Sequence, residues 1–374
     1  MRVAVVAEYY PRAADPALGV WAHRQALAAR AAGADVEVFV LHRPVPPRAA
    51  LRDLRALRQP LRVVLDGLRV TYVPFLAPPR PRSYASWGAW AAPTLKLALR
   101  GRFDLVHAHY AVPGGDAAAR ARPDLPLVIS VHGGDVLGVA ERFRGGREAV
   151  GRAFAAARLT LANSALIAER SRALGARDVR VVHLGTDVPE PVAQDAATLV
   201  TVGNLIARKR HADVLRALWL LRDTHPDVRW IVVGDGPERE PLERLAASLG
   251  VRVDFRGALA PAEALRVARA GGVFVLPSVE EAFGVAYIEA MAGGVPAIGA
   301  RGEPGPEEIA ACGGGMRLVP PGDPEALAAE LRGLLDDPAW RRELGAAARA
   351  NVEASFTWER CGRETVAAYE DALR

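Results

Sequence analysis

Short apolar runs alternate with helix-period patterns along the whole chain, and this alternation constrains the fold more than any other feature. In the first half the runs are Val3–Ala7, Val36–Leu41, Leu68–Val73, Leu105–Ala108, Leu127–Val131, Leu159–Ala162 and Val179–Val182. In the second half they are Leu199–Val202, Trp230–Val233, Val251–Phe255, Val273–Leu276, Ala297–Gly299 and Met316–Val319. Continuous apolar runs are what parallel strands buried on both faces require. Helices between them supply the crossovers, so the pattern predicts an α/β fold with doubly wound sheets. A chain of 374 residues, 51% of them hydrophobic, is too long for one ordinary domain and can fill two cores.

Composition removes several classes of function. No apolar run approaches the ~20 residues that cross a bilayer. The N-terminus reaches Glu8 too soon for the apolar region of a signal peptide and reads as a first buried strand. Cys312 and Cys361 lack metal-ligand spacing and suggest no disulfide framework. A cytoplasmic protein is expected. Between Arg43 and Asp104 twelve cationic residues, Arg43 to Arg102, face only Asp53, Asp66 and Asp104, with Tyr84, Trp87 and Trp90 among them. Such a stretch suits an anionic membrane face, a peripheral contact at the inner leaflet, or an anionic acceptor. A solvated face in an arginine-heavy protein is the plainer explanation. No nucleic-acid-binding motif accompanies the charge.

The chemistry concentrates at strand ends, where open α/β sheets bind ligands. Val273–Leu276 is followed by Pro277 and Ser278, then Glu280 and Glu281, then Gly284 and a helical pattern through Glu289 that stops at Gly293-Gly294. A loop entering a helix N-terminus favours an anion. Glu281 and Glu289 would repel that anion, so they suit hydroxyls better, and a nucleotide sugar carries both. Two glutamates with seven residues between them are also common as solvated helix charges. After Leu199–Val202 come Gly203, Asn204, Arg208, Lys209 and Arg210, cations crowded where a helix begins, which an anion would relieve. Lys209 is one of only two lysines, and Asn204 one of three asparagines. In the first half, Gly19, His107, His109, Tyr110, His132 and Asp135 fall at or beyond strand ends, with His107 the buried, structural one of its pair and His109 nearer the end. The loop before Gly19 holds no G-x-G-x-x-G, which argues against a dinucleotide. His132 precedes two glycines and reads as ligand-facing or as structural.

Together these segments resemble the retaining GT-B glycosyltransferases, most closely glycosyltransferase family 4. Pro277-Ser278, Glu281-Ala282-Phe283-Gly284 and Glu289-Ala290-Met291-Ala292 look like the family's Glu-x7-Glu motif. His132-Gly133-Gly134-Asp135 resembles its H-G-x-D-like run, Asp104 to His109 its D-x-x-H-x-H run near the acceptor, and Leu18-Gly19-Val20 its first glycine loop. Gly203 to Arg210 resembles its lysine run, Gly234-Asp235-Gly236-Pro237 its G-x-G-P turn, and Phe356-Thr357-Trp358 its F-x-W. Asn204 stands where arginine is commoner, and Arg210 where glycine is usual. Either Arg208 supplies the missing charge or the diphosphate is held with one cation fewer.

The resemblance implies two Rossmann-like domains facing across a cleft. Residues 1–190 would form an acceptor domain, with a last helix, about 357–374, crossing back to it on Trp358, Val366, Ala367 and Tyr369. Residues 191–356 would form the donor domain. It implies transfer of a sugar from a nucleoside diphosphate sugar, as co-substrate, to a hydroxyl acceptor such as a glycan or lipid-linked glycan. Lys209 and Arg208 would hold the diphosphate with the N–H groups of Phe283, Gly284 and Val285. Glu289 would take the ribose and Glu281 the sugar hydroxyls, with His132 orienting the sugar. Gly19, Gly203, Asn204, Gly234, Arg256 and Gly257 would complete the donor contacts, with His109 and Asp135 on the acceptor side. No Asp-x-Asp is present, and neither a metal nor another cofactor is expected. An epimerase or phosphorylase of the same architecture, or a silent nucleotide-sugar-binding scaffold, would keep the Lys209 and Glu289 features.

Overall fold

A computed structural model describes residues 1–13, 15–44 and 59–374, the side chains of residues 81 and 82 excepted. Arg48, Arg52, Asp53, Arg55 and Arg58 of the basic stretch therefore lie outside the described residues. The chain divides into two units, Met1–Leu184 with Trp358–Arg374, and Gly185–Thr357.

The first unit carries β1 (Arg2–Ala7), β2 (Asp35–His42), β3 (Arg62–Leu65), β4 (Leu68–Pro74), β5 (Leu105–His109), β6 (Leu127–Val131), β7 (Leu159–Ala162) and β8 (Val179–Val181). They form one sheet in the order β3-β4-β2-β1-β5-β6-β7-β8. Every neighbouring pair is parallel except β3 with β4. The strands β5, β6 and β7 are buried at every position, which is why they read as unbroken apolar runs. Strand order reverses between β1 and β5, and this switch point opens a crevice at the strand C-termini.

Strand β3 is absent from the apolar-run reading. Its apolar run, Val63 to Leu65, is only three residues long, and its four residues alternate between exposed and half-buried, unlike a strand buried on both faces. Asp66 and Gly67 both adopt left-handed φ, 46° and 79°, as a two-residue hairpin turn matched to strand twist requires. The Arg30 guanidinium donates to the Asp66 carbonyl at 2.8 Å, and His23 Nε2 lies 2.9 Å from its carboxylate.

The last helix, Trp358–Leu373, packs into the first unit's core through Cys361, Val366, Ala368 and Tyr369. Its buried face thus runs through Ala368; Ala367, assigned to that face from the sequence, points to solvent. In a helix, adjacent residues differ by about 100°, so the error of one position changes the face.

The second unit holds β9 (Asp195–Val202), β10 (Arg229–Val233), β11 (Val253–Gly257), β12 (Gly271–Leu276), β13 (Ala297–Ala300) and β14 (Met316–Val319). The order is β11-β10-β9-β12-β13-β14, all parallel. Its switch point lies between β9 and β12. Trp230 is fully buried and donates its indole N–H to Thr201 Oγ1 at 2.9 Å, so the largest core side chain leaves no orphan donor. Among the described residues, no helix is long and apolar enough to cross a membrane.

Candidate active site

The two loops leaving the second unit's switch point carry its charged groups. From β9 the chain passes Gly203 and exposed Asn204 into a single turn, Ala207–Lys209, then the helix His211–Leu221. Arg210 joins turn to helix at φ 55°. That left-handed geometry costs an L-residue roughly 1–2 kcal/mol, which accounts for glycine being the usual residue there. Its guanidinium recovers part of the cost by pairing with Asp213 at 2.5 Å.

From β12 the chain passes Pro277, Ser278 and Glu280 to Glu281. The Glu281 carboxylate is buried, accepts from the Lys209 ammonium and from Ser278 Oγ (3.0 Å), and lies 3.9 Å from Arg208 Nη1. Burial alone would raise its pKa. The charge and hydrogen bond of Lys209, with Arg208 and Ser278, outweigh burial and hold it below the ordinary 4.5. Ser278 Oγ also lies 3.2 Å from the Tyr287 hydroxyl, which donates to the Leu276 carbonyl. Two cations therefore address one buried carboxylate at the open end of the sheet.

Gly284, at φ 82°, turns the chain into the helix Val285–Met291. Phe283 is buried, Val285 half-buried, and Glu289 half-buried within that helix. Arg269 donates to the Glu289 carbonyl at 3.1 Å and to the Asp187 carbonyl at 2.8 Å. Burial lowers the Arg269 pKa, an effect that the Glu289 carboxylate opposes. The turn after β10 lies against the β9 loop: a Cβ on Gly234 would meet the Gly203 carbonyl oxygen at 2.0 Å. Close backbone approach thus accounts for this glycine whatever it binds. Gly257 ends β11, and Gly234 N–H donates to its carbonyl at 2.8 Å. The Arg256 side chain is exposed and pairs through Nε with Asp254 at 2.8 Å.

In the first unit the switch point gathers Glu8, Tyr9, Tyr110 and His132. Glu8 is nearly buried and accepts from Tyr84; burial raises its pKa, with Tyr84, Arg80 and Arg12 opposing. Tyr110 holds φ 71°, a strained value for an aromatic residue. Its ring lies 5.1 Å from that of His132 and 5.2 Å from that of Tyr9. His132 is half-buried, with its Nε2 2.9 Å from His109 Nδ1.

This geometry matches known proteins along the whole chain. A family model described as glycosyl transferases group 1 matches residues 187–351, and one described as glycosyltransferase family 4 matches residues 18–190. A D-inositol 3-phosphate glycosyltransferase of Streptomyces bingchenggensis is 31% identical over 395 aligned positions, covering 93% of this chain and 83% of that protein. The chain belongs to glycosyltransferase family 4.

Another family relative is a GDP-mannose-dependent monoacylated alpha-(1-6)-phosphatidylinositol monomannoside mannosyltransferase of Corynebacterium glutamicum. It is 33% identical over 42% of this chain, and the match spans 43% of its own length. Among solved structures, sucrose-phosphate synthase from Thermosynechococcus elongatus superposes with a TM-score of 0.79 at 22% identity, covering 99% and 98% of the two chains. Anabaena HepE in complex with UDP and glucose gives 0.75 at 19% identity, covering 99% and 100%. These likenesses establish the GT-B fold, two Rossmann-like units with parallel sheets.

Burial bears on two of the expected acceptor-side residues. His109 and Asp135, expected to meet an acceptor, are both 0% exposed. His109 sits inside β5 with its ring against two other histidines, and Asp135 accepts from the Ala111 N–H at 2.6 Å, tying two loops together. Neither touches solvent, so any effect on a ligand passes through neighbours. Gly19 is required by packing as well: at φ 65°, a Cβ there would fall 2.2 Å from the Tyr9 carbonyl. Three residues that the sequence did not single out as site residues, Ser278, Tyr287 and Glu303, hold the Glu281 loop. Glu303 Oε2 accepts from the Glu281 N–H at 3.0 Å. Only the position of Ser278 beside Pro277, within the glutamate motif, could have signalled this.

Proposed function

We propose that the protein is a retaining glycosyltransferase that moves a sugar from a nucleoside diphosphate sugar to a hydroxyl of a glycan or lipid-linked glycan. The observation that carries this reading is the pairing of Lys209 and Arg208 with buried Glu281 at the second unit's switch point. Both cations address the same carboxylate, so a diphosphate arriving at this strand end would find two cationic partners already gathered. In this reading Lys209 and Arg208 stabilise the charge that develops on the departing diphosphate, with Gly203 and the backbone at Phe283–Val285 close by. Glu281 accepts hydrogen bonds from sugar hydroxyls and Glu289 from the ribose. His132 is the first unit's ligand-facing group. Both glutamates lie in one segment, which does not suit hydrolysis by carboxylates flanking a scissile bond. HepE, crystallised with UDP and glucose, supports a nucleoside diphosphate sugar as the donor class.

The acceptor end is proposed to work at an anionic membrane surface. The helix Trp87–Ala98 exposes Trp90 (52%) and Leu97 (56%), with Lys96 and Arg100 also exposed at its C-terminal end. Flotation with anionic vesicles should recruit the protein at low salt; equal recovery with neutral vesicles would remove this part.

The central test is thermal-shift and calorimetric titration with a panel of nucleoside diphosphates and their sugars, with and without chelator. Selective stabilisation by one nucleotide, indifferent to chelator and weakened in Lys209→Ala and Glu289→Ala, is expected. Turnover of the bound donor sugar should then follow with anomeric configuration kept. Absence of stabilisation by every member would sink the reading.

A further inference from the structure

Three imidazoles lie together where β5 meets β6. His107 is satisfied at both nitrogens: Nδ1 lies 2.7 Å from the Tyr369 hydroxyl and Nε2 2.8 Å from Ser130 Oγ. His109 and His132 share one contact, Nδ1 to Nε2 at 2.9 Å. Their rings are 5.1 Å apart and inclined by only 8°. The two remaining nitrogens, His109 Nε2 and His132 Nδ1, are buried and have no partner among the described residues.

A hydrogen bond between two imidazole nitrogens needs one proton in it. Burial disfavours the charged form of both rings, which leaves two neutral arrangements. If His132 donates through Nε2, then His109 carries its own proton on Nε2, inside a residue that is 0% exposed. A buried donor without an acceptor costs about 1–3 kcal/mol, and orphan N–H groups are rarer than orphan lone pairs. If His109 donates through Nδ1, its Nε2 is only a bare lone pair. The unmet N–H then moves to Nδ1 of His132, the half-buried ring beyond the end of β6. Both atoms are buried, but only His132 belongs to a residue with solvent exposure, so of the two sites this is the one that a small shift of the ring brings to a ligand.

We propose that His109 is a positioning residue that fixes His132 as the Nδ1–H tautomer, so that His132 offers a hydrogen-bond donor, not a base, to an oxygen of the bound nucleotide sugar. This rests on the ligand-facing reading of His132 given above. Tyr110 and Trp21 fix the plane of the ring, with centroids 5.1 Å and 6.2 Å away, and His109 fixes its proton. His107, 4.7 Å from His109, backs the column. No proton moves in this arrangement, so the acceptor must lose its proton to some group other than His132.

The test is long-range proton–nitrogen correlation on the full chain with labelled histidine at neutral pH, His132 being assigned by loss of its signals in His132→Gln. A pyrrole-like Nδ1 and pyridine-like Nε2 on His132 are expected in the wild type. The reverse pattern, or two pyrrole-like nitrogens, overturns the inference without touching the proposed function. Variants add a functional readout. His109→Asn places an amide donor near the Nδ1 position, whereas His109→Leu offers no hydrogen-bonding group. The Asn variant should keep the His132 tautomer and exceed the Leu variant in kcat by about tenfold or more, with donor KM changing less than kcat. Equal kcat in the two variants overturns the positioning role. Unchanged turnover in His132→Gln overturns the ligand half of the proposal and that part of the proposed function with it.

Discussion

A buried carboxylate ordinarily takes up a proton, and Glu281 does not. Its side chain is 11% exposed and that of Lys209 12%, so the pair sits where a lone charge is costly and a matched pair can persist. Removing one partner should therefore cost more than removing both. Lys209→Met should destabilise the protein by about 3 kcal/mol, because breaking a buried pair strands the other charge. Lys209→Met combined with Glu281→Gln should cost clearly less than the sum of the single variants, a coupling of at least ~1 kcal/mol. The sign with pH follows from the depressed pKa of Glu281. Its contribution is present above the unfolded value near 4.5 and lost as pH falls through the lower folded value. Denaturant titrations of the four proteins of the cycle at neutral pH test this, and strict additivity would refute a paired, charged Glu281. Turnover should be low in all three variants, since each removes a proposed ligand of the donor.

The loop from Pro277 to Gly284 is the element that this pair depends on, and it is fastened from outside its own sequence. Glu303, in the segment after β13, accepts the Glu281 N–H, and Gly305 N–H donates to the Glu281 carbonyl at 2.9 Å. Burial raises the Glu303 pKa, with its backbone hydrogen bonds opposing. An amide can accept the same bond without burying charge. Glu303→Gln should keep the thermal midpoint within a few degrees and retain most affinity for the nucleotide. Glu303→Ala orphans the Glu281 N–H, should cost about 1–2 kcal/mol, and should raise donor KM several-fold; equal behaviour of Gln and Ala would show that the bond does not hold the loop.

This element also marks how far the sequence could be read. Thirteen of the fourteen strands among the described residues coincide with apolar runs, the central ones because burial on both faces demands them, although β11 is buried at no position, and Glu281, Lys209 and Gly284 stand in recognisable spacing. Contacts made across long sequence separations leave no local trace. Glu303 reaches Glu281 over 22 residues and Tyr369 reaches His107 over 262. Strand β3 escaped because its apolar run, Val63 to Leu65, is three residues long and exposed on one face, so the Asp66-Gly67 turn is its clearer signal. His109 misled because a histidine near a strand end reads as ligand-facing until the sheet closes over it.

At the scale of the whole chain, the buried titratable groups of the first unit pull its stability in opposite directions with pH. His107 and His132 are lowered to about 3 by burial, and burial drives His109 well below the ordinary 6.5. Each contributes stability that is present above 6.5 and lost as pH falls toward the folded value, because the unfolded chain binds the proton first. Asp135 has the opposite sign: burial raises it to about 7. Its contribution is fully present below the unfolded 3.8 and lost as pH rises through about 7. Between pH 4 and 6.5 one buried acid therefore cancels the acid lability of one buried histidine. Asp135→Asn removes that compensation while leaving an oxygen to accept the Ala111 N–H. The variant should gain stability relative to wild type above pH 7 and lose that advantage on acidification. Its acid-side slope should be steeper by about 1.4 kcal/mol per pH unit, one proton's worth. Hydrogen exchange of β5 and β6 peptides in urea, at several pH values across that window, isolates the first unit and reads the slope directly. Parallel profiles for variant and wild type would mean that Asp135 carries its charge throughout, and that the histidines are left uncompensated.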